Sequence, residues 1–530
     1  MARLEYHAPD SNARSGESRH GAIAAIGIIA LIVAATAVGF AIHLHGGEYS
    51  PGAITLVTVA IIATAVGLIA SKSTRLEFPY HGRLARVGSP ETHGRDARDT
   101  GDQIAAHALS SNSALPWIEY SLALAIALQF VALVILWPVG VDQIKPYLTL
   151  KNQHVYLYLI STSAFIVLPG FLRVPSMRRW WFPALLLVHL MLGFWAVRSS
   201  PVPHIDVWYF QESGAQTLLQ GHNPYDYRQA NYPDIYDSTL PGHQRVYGEG
   251  MVEDGRLKFG FPYPPISLFC STLGFFFGND TRFAQAVALT LAGLCIGYSR
   301  PGLIPKLAAT LLMFTPSVWF VLGRGWTEPF VVMFLAATVF CASRNLRWLL
   351  PMALGLFLAS KQYLVFAIPL SFLLLPNFEW RKKASWRDWI LLLLEAAAVA
   401  AIVTLPLALW NFHAFWFSLV TVQKEAPFRW DALSYLVWIG FNVDSKYTTW
   451  VWMAFAGVTV AMFLSFWKAR RDAMGFVAAM ALVYLVFIAF NKQAFCNYYF
   501  FVIGCLCCAL GSAPDFSRST AGDIDSMLHQ

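Results

Sequence analysis

Charge is what this sequence has least of. Of its 530 residues, 13% are Asp, Glu, Lys or Arg, where a soluble globular chain carries about a quarter. Hydrophobic residues make up 56% and aromatic residues 15%, a balance that excludes a water-soluble enzyme. Cysteine is scarce as well. The seven are Cys270, Cys295, Cys341, Cys496, Cys505, Cys507 and Cys508, nearly all in apolar runs and without two Cys-x-x-Cys pairs, so neither a disulfide framework nor a zinc site is expected. No His, Asp and Glu cluster has ligand spacing, so the expectation is no intrinsic metal and no cofactor.

Long apolar runs are what the sequence has instead. Crossing about 30 Å of hydrocarbon takes about 20 apolar residues, and such runs occupy 21–43, 52–71, 117–138, 153–172, 180–198, 388–409, 447–466 and 473–490. The first is too long for a signal-peptide core and follows a polar stretch, so it reads as a retained span. With shorter runs between them, the expected fold is an all-α polytopic transmembrane helical bundle of about 12–15 spans or half-spans. The net charge of +7 does not mark a nucleic-acid binder. The basic residues lie in short loops between spans, which is the positive-inside pattern of a multi-pass cell-membrane protein.

Those loops set the expected orientation. Basic clusters at 72–98, 173–179, Arg344 with Arg347, 381–387 and 468–471 read as cytoplasmic, whereas acidic residues outnumber basic ones in 199–262, which reads as an outer loop. The stretch "WLLPMALGLFLASKQYLVFAIPLSFLLLP" (348–376) lies between two basic clusters, so it crosses an even number of times, with Ser360, Lys361 and Gln362 at an outward turn. Each arm is then only about 13 residues, or roughly 20 Å of helix, and Lys361 is expected at the bottom of an outer depression. The same count puts Arg324 and Glu328 of "GRGWTEPF" and Lys492 of "NKQAFCNYYFF" on the outer side.

Of the apolar run 261–278 and the one after it, only one can cross, because the chain passes from the acidic loop to the basic Arg300 and Lys306. Pro264 and Pro265 pre-set a helix start, and 261–278 is taken as the re-entrant or interfacial helix. The region 410–446 reads as an outer loop with an interfacial helix, its Trp and Phe residues at headgroup level. Three divisions are expected: residues 1–175 as a membrane extension able to form a separate bundle, 176–511 as the main membrane domain, and a polar cytoplasmic tail 512–530. Loop 73–115 and that tail are expected to be poorly ordered.

The outer loop opens with "HIDVWYFQESGAQTLLQGHNPYD" (204–226). Phe210, Gly214, Ala215, Leu218 and Leu219 fall on one helical stripe, and Gly221 is a suitable stop. Asp206 then takes the N-cap position, which stabilises a helix by about 1 kcal/mol and explains the residue by itself. Its place at the mouth of a span, on the side that also collects Arg324, Glu328, Lys361 and Lys492, favours a functional site instead. Each of these has a structural alternative: Arg324 and Glu328 as an i,i+4 pair, Lys361 snorkelling to headgroups, and Lys492 as an interfacial anchor. His204 and His222 read as solvated loop residues.

An Asp just beyond a span, a helix ending in "GHNPYD", then "FPYPP", an outer "GRGWTEP" turn and a short-span lysine in "SKQYLVFAIPL" together resemble the multi-span GT-C glycosyltransferases. The bacterial polyprenol-phosphate-mannose-dependent mannosyltransferases are the nearest in kind. The resemblance covers about 180–510 and implies a GT-C-like catalytic domain with Asp206 as its catalytic carboxylate. Where many members have Gly-Gln in the turn, this chain has Gly323-Arg324. It further implies a polyprenyl-phosphate-linked sugar as donor, a glycolipid or glycan acceptor, and membrane lipid as surroundings. A sugar leaving a phosphate carrier needs a base for the acceptor hydroxyl and cations for the departing phosphate. Asp206 suits the first. Arg324, Lys361 and Lys492 suit the second, and Glu328, Tyr263 and Arg245 complete the substrate-binding candidates. Two other classes stay open: a transporter or flippase of lipid-linked sugars, and a surface-polysaccharide polymerase or ligase using Arg228, His243 and Arg245.

Overall fold

The computed structural model describes residues 11–72, 114–135, 150–203, 205–230, 247 and 249–514. His204, His243, Arg245, the loop 73–113 and the tail from 515 lie outside the described residues.

The chain is an all-α bundle. Its helices are α1 (Ser11–Leu44), α2 (Pro51–Ser71), α3 (Ala114–Ile135), α4 (Leu150–Phe171), α5 (Trp181–Ser199), α6 (Asp206–Leu219), α7 (Pro265–Gly278), α8 (Arg282–Gly297) and α9 (Ile304–Met313). They continue as α10 (Val318–Gly323), α11 (Glu328–Ser343), α12 (Leu350–Leu358), α13 (Lys383–Trp410), α14 (Tyr435–Asn442), α15 (Trp452–Lys468), α16 (Ala473–Ala489) and α17 (Cys496–Gly511), with short helical turns over Gln362–Leu374 and in 412–425. Local sequence sets many starts and stops. Ser50 accepts from the Ala53 amide with Pro51 behind it, and Asp472 accepts from the Gly475 amide at 2.8 Å, so the first-turn donors of α2 and α16 are met by side chains. The one hairpin among the described residues pairs Val252–Glu253 with Arg256–Leu257 across Asp254 and Gly255, both at positive φ, as an Asp-Gly turn favours.

Among the described residues, six helices are long and apolar enough to cross a membrane: Ala22–Leu44, Pro51–Ser71, Leu115–Ile135, His154–Phe171, Trp181–Ser199 and Lys383–Trp410. Apolar side chains such as Leu124, Phe165, Leu187 and Ile402 stay exposed along their outer faces, and only 17% of the most apolar stretch of α13 is buried inside the protein. Such surfaces on helices of this length suit hydrocarbon rather than water. This is a membrane protein. Helices α1 and α2 approach closely because Gly27 and Gly67 face the partner, and a Cβ at Gly67 would stand 2.6 Å from Leu31, the small-residue contact that membrane helices rely on.

The N-terminal helices do not form the separate bundle that their sequence allows. Leu31 of α1, Leu122 of α3 and Tyr156 of α4 belong to the same core as Phe330, Tyr484 and Tyr499, with α1 packed against α17 and α3 against α9.

Contacts sort the loops into two ends. At one, Arg344 donates to the Tyr298 carbonyl at 2.8 Å, Ser299 to that of Gly511 at 2.7 Å, Arg470 to that of Ser71 at 3.3 Å, and Arg173 to Glu119 at 2.7 Å. These belong to the basic loops. At the other, the Tyr49 amide donates to Asp431, the Arg429 amide to Lys492, Ser267 to the Ser360 carbonyl, and Asn411 to Asp226. Helix α7 has both its ends there: Ser267 in its first turn touches Ser360, while Arg282 just beyond it touches Ser200. It therefore lies along that end, and α8 makes the crossing to Tyr298.

From the charge count the Asp206 end is expected to face outside. A cysteine at exposed Ser445 is then expected to react with a membrane-impermeant thiol reagent added to intact cells, and one at exposed Ala384 only after permeabilisation, with the unsubstituted protein as blank. The reverse labelling pattern inverts the orientation.

Candidate functional site

Asp206 is the first residue of α6, not its cap. Ile205 takes the cap position without a side-chain bond, because Asp206 already has helical backbone. Its Oδ1 accepts from the Val207 amide at 2.7 Å, and its Oδ2 accepts from the Tyr247 hydroxyl at 2.7 Å. One oxygen of this half-buried carboxylate therefore serves a free amide of the helix start, and the other is turned to Tyr247. Tyr247 is held by the Phe259 ring, 5.6 Å between centroids, within a small second core of Phe210, Tyr225, Phe261, Leu268, Leu407 and Phe415. That core fastens α6 to the start of α7 and the end of α13.

Arg324 ends α10 and is half-buried, with its guanidinium 5.3 Å from the Phe320 ring. The next residue, Gly325, has φ +70°, and a Cβ there would stand 3.0 Å from Trp208 in the first turn of α6. The turn carrying Arg324 thus packs directly on the helix turn that carries Asp206.

Glu328 does not pair with Arg324, its neighbour by i,i+4 spacing. It is fully buried, and Lys361 Nζ lies 2.9 Å from its Oε1. Helices α11 and α12 are antiparallel neighbours, so the first residue of one meets the residues just past the end of the other. Lys361 is 5% exposed and therefore does not snorkel. It also donates to Thr327 Oγ1 at 2.5 Å and stands 4.4 Å from the centre of the Tyr263 ring, whose backbone carbonyl accepts from Tyr225 at 2.7 Å. Neither Glu328 oxygen has an aligned hydrogen bond among the described residues, and the nearby Tyr363 hydroxyl has none either. Tyr498 lies within electrostatic reach of both Glu328 and Asp206. The structure thus brings Asp206, Arg324, Glu328, Lys361 and Tyr263 to one end of the bundle.

Lys492 is also at that end, but it is committed to the backbone. Its ammonium donates to the Lys424 carbonyl at 2.9 Å and the Ala426 carbonyl at 2.5 Å, and burial pushes its pKa down. It clamps the 424–429 segment. Arg245 lies outside the described residues. Among the described residues, no three His, Cys, Asp or Glu side chains form a group able to hold a metal ion.

Two residues of this region were not singled out by the sequence. Tyr247 stands in a polar loop and Thr327 inside "GRGWTEP", and their roles depend on long-range packing. Glu212, one and a half turns past Asp206, is the acid that packing perturbs most. Burial pushes its carboxyl up to about 7, against the opposing pull of the hydrogen bond that the Thr281 amide donates at 2.8 Å.

No protein-family model matches the chain, and neither a curated protein nor a solved structure does.

Two outcomes follow from these geometries. Breaking a buried ion pair leaves one charge unmatched, at a cost of about 3–5 kcal/mol. Lys361→Met is therefore expected to lower stability by that order in denaturant unfolding in detergent, and adding Glu328→Gln to recover most of the loss. For Glu212, the folded chain holds a proton that the unfolded chain releases between the ordinary 4.5 and about 7. Stability should then fall as pH rises across that window. The melting temperature measured from about pH 5 to about pH 8 is expected to drop in the unsubstituted protein and to drop less in Glu212→Gln.

Proposed function

We propose that the chain is a GT-C-like membrane glycosyltransferase, which moves a sugar such as mannose from a polyprenyl-phosphate carrier to a hydroxyl of a glycolipid or glycan on the outer face. The observation that carries this reading is the packing of the turn that follows Arg324 onto Trp208, in the first turn of the Asp206 helix, which sets the backbone that bears the guanidinium against the helix turn that bears the carboxylate.

The chemistry assigns each group a task. The acceptor hydroxyl gives its proton to Asp206 as its oxygen attacks the anomeric carbon, and the bond from that carbon to the carrier phosphate breaks, its electrons leaving with the phosphate. Arg324, a planar fork of donors, suits the charge that appears on the phosphate oxygens. Tyr247 holds the Asp206 carboxylate in one orientation through its hydroxyl. Lys361, neutralised by Glu328, serves this site better as the support of the Tyr263 ring than as a phosphate ligand. The sidedness implies the donor. Nucleotide sugars stay in the cytoplasm, and a site on the outer face requires a sugar that has crossed on a lipid.

Asp206→Asn keeps an oxygen for the Val207 amide and a polar group for Tyr247, so the variant is expected to fold and melt as the unsubstituted protein does. Transfer should fall on the order of 10²-fold, the scale of a general base. The assay offers purified protein a polyprenyl-phosphate-linked or a nucleotide-linked sugar with a panel of glycan and glycolipid acceptors. Product from the nucleotide donor alone, translocation without product, or full turnover by Asp206→Asn each removes the reading.

A further inference from the structure

Two backbone carbonyls flank Arg324, and buried side chains from other helices hold both. The Gly323 carbonyl accepts from Arg282 Nη1 at 3.2 Å. The Gly325 carbonyl accepts from Gln285 Nε2 at 3.0 Å and also from Gln211 Nε2. Gln211 and Gln285 are fully buried, and Arg282 is 2% exposed.

Neutralising Arg282 requires only its neighbour. Its Nε and Nη2 grip Asp280 as a fork, with Nη2 2.6 Å from Oδ2. The remaining nitrogen, Nη1, reaches three further oxygens: Ser200 Oγ at 2.7 Å, the Pro201 carbonyl at 3.3 Å and the Gly323 carbonyl. Ser200 and Pro201 belong to the link between α5 and Asp206. One guanidinium therefore joins the strand of chain leading to Asp206 with the turn leading to Arg324. The glutamines repeat the pattern. Gln211 sits on α6 with Asp206, while its Oε1 accepts from Gln285 at 3.0 Å and from Ser271 at 2.8 Å. Trp208 closes the fourth side against Gly325.

We propose that Arg282, Gln211 and Gln285 are positioning residues that grip the peptide units on both sides of Arg324 and so fix where its guanidinium stands relative to Asp206. The catalytic meaning of this tether rests on the transferase reading above, but the tether itself does not. A guanidinium that stabilises a departing phosphate works only where the charge appears, and an ångström of misplacement costs on the order of 10²-fold in rate. A network that merely satisfies buried polar groups would affect folding and leave turnover per folded molecule unchanged.

The experiment places a nitroxide at Arg324→Cys, with the signal of the labelled unsubstituted protein subtracted, and compares its mobility with and without Gln285→Met or Arg282→Lys. In parallel, the two variants with Arg324 intact are assayed for sugar transfer from a polyprenyl-phosphate donor. Gln285→Met keeps length and loses both donors, and it serves if the buried Arg282→Lys fails to fold. The expected result is a label that loosens, with kcat down about 10²-fold and acceptor KM unchanged. A label whose line shape does not change overturns the tether. A loosened label with unchanged turnover overturns the positioning role. A loosened label in a protein that transfers sugar from no donor removes the transferase reading, and the catalytic purpose with it, while the tether stands.

Discussion

Hydrocarbon offers no hydrogen bond, so every polar group at membrane depth must find its partner inside the protein. An unbroken helix meets this condition by itself. This bundle breaks its helices twice near the Asp206 end, at 314–327 between α9 and α11 and at 359–361 after α12, and each break frees peptide groups. At the second break, Ser267 binds the Ser360 carbonyl, Gln362 reaches the Pro262 carbonyl and Lys361 reaches Thr327. At the first, Arg282, Gln211 and Gln285 take the carbonyls. The breaks bring backbone polarity into the interior, and the side chains that answer it gather where the breaks are.

Burial divides the charged residues of this end into two kinds. Glu328 and Lys361 are sealed and cancel one another. A charge so placed cannot leave its partner without a penalty of several kcal/mol, which fits a fixed part of the frame. Asp206 and Arg324 are half-buried. On the transferase reading proposed above, groups of the second kind are the ones that meet substrate.

How much of this was legible in the sequence depended on whether a residue's partner was local. Loop charges read well: Arg344, Arg173 and Arg470 do lie at one end, and Lys361 and Lys492 at the other. Basic residues declare their side one loop at a time, and no folding detail is needed. The prolines of "FPYPP" marked the start of a helix that stays at one end. Local spacing misled where packing decided. Arg324 and Glu328 stand at i,i+4, yet the true partner of Glu328 comes from the next antiparallel helix. A rule that the last residue of one short span meets the first of its predecessor would have found Lys361. Gln285 gave a weaker signal, as an isolated polar residue in an apolar helix, while Gln211 and Arg282 stand among other polar residues, Glu212 and Ser213 or Asp280 and Thr281, and gave none. That signal identifies a buried polar group and not what it binds.

The N-terminal helices illustrate the same limit. By composition they are four anonymous spans, yet the loop between α1 and α2 reaches the site region. A Cβ at Gly47 would stand 2.6 Å from Cys496, Tyr49 donates its amide to Asp431, and Glu48 bridges Ala432. The chain at 433 is in turn tied to Tyr499, whose hydroxyl donates to the Leu433 carbonyl at 2.5 Å. Tyr498, one residue earlier on α17, is the side chain that feels both Asp206 and Glu328. The N-terminal pair therefore braces the first turn of α17, and through it the wall that faces the two carboxylates. Helices that share this core and touch its most polar corner belong to the packing around Asp206 and Glu328.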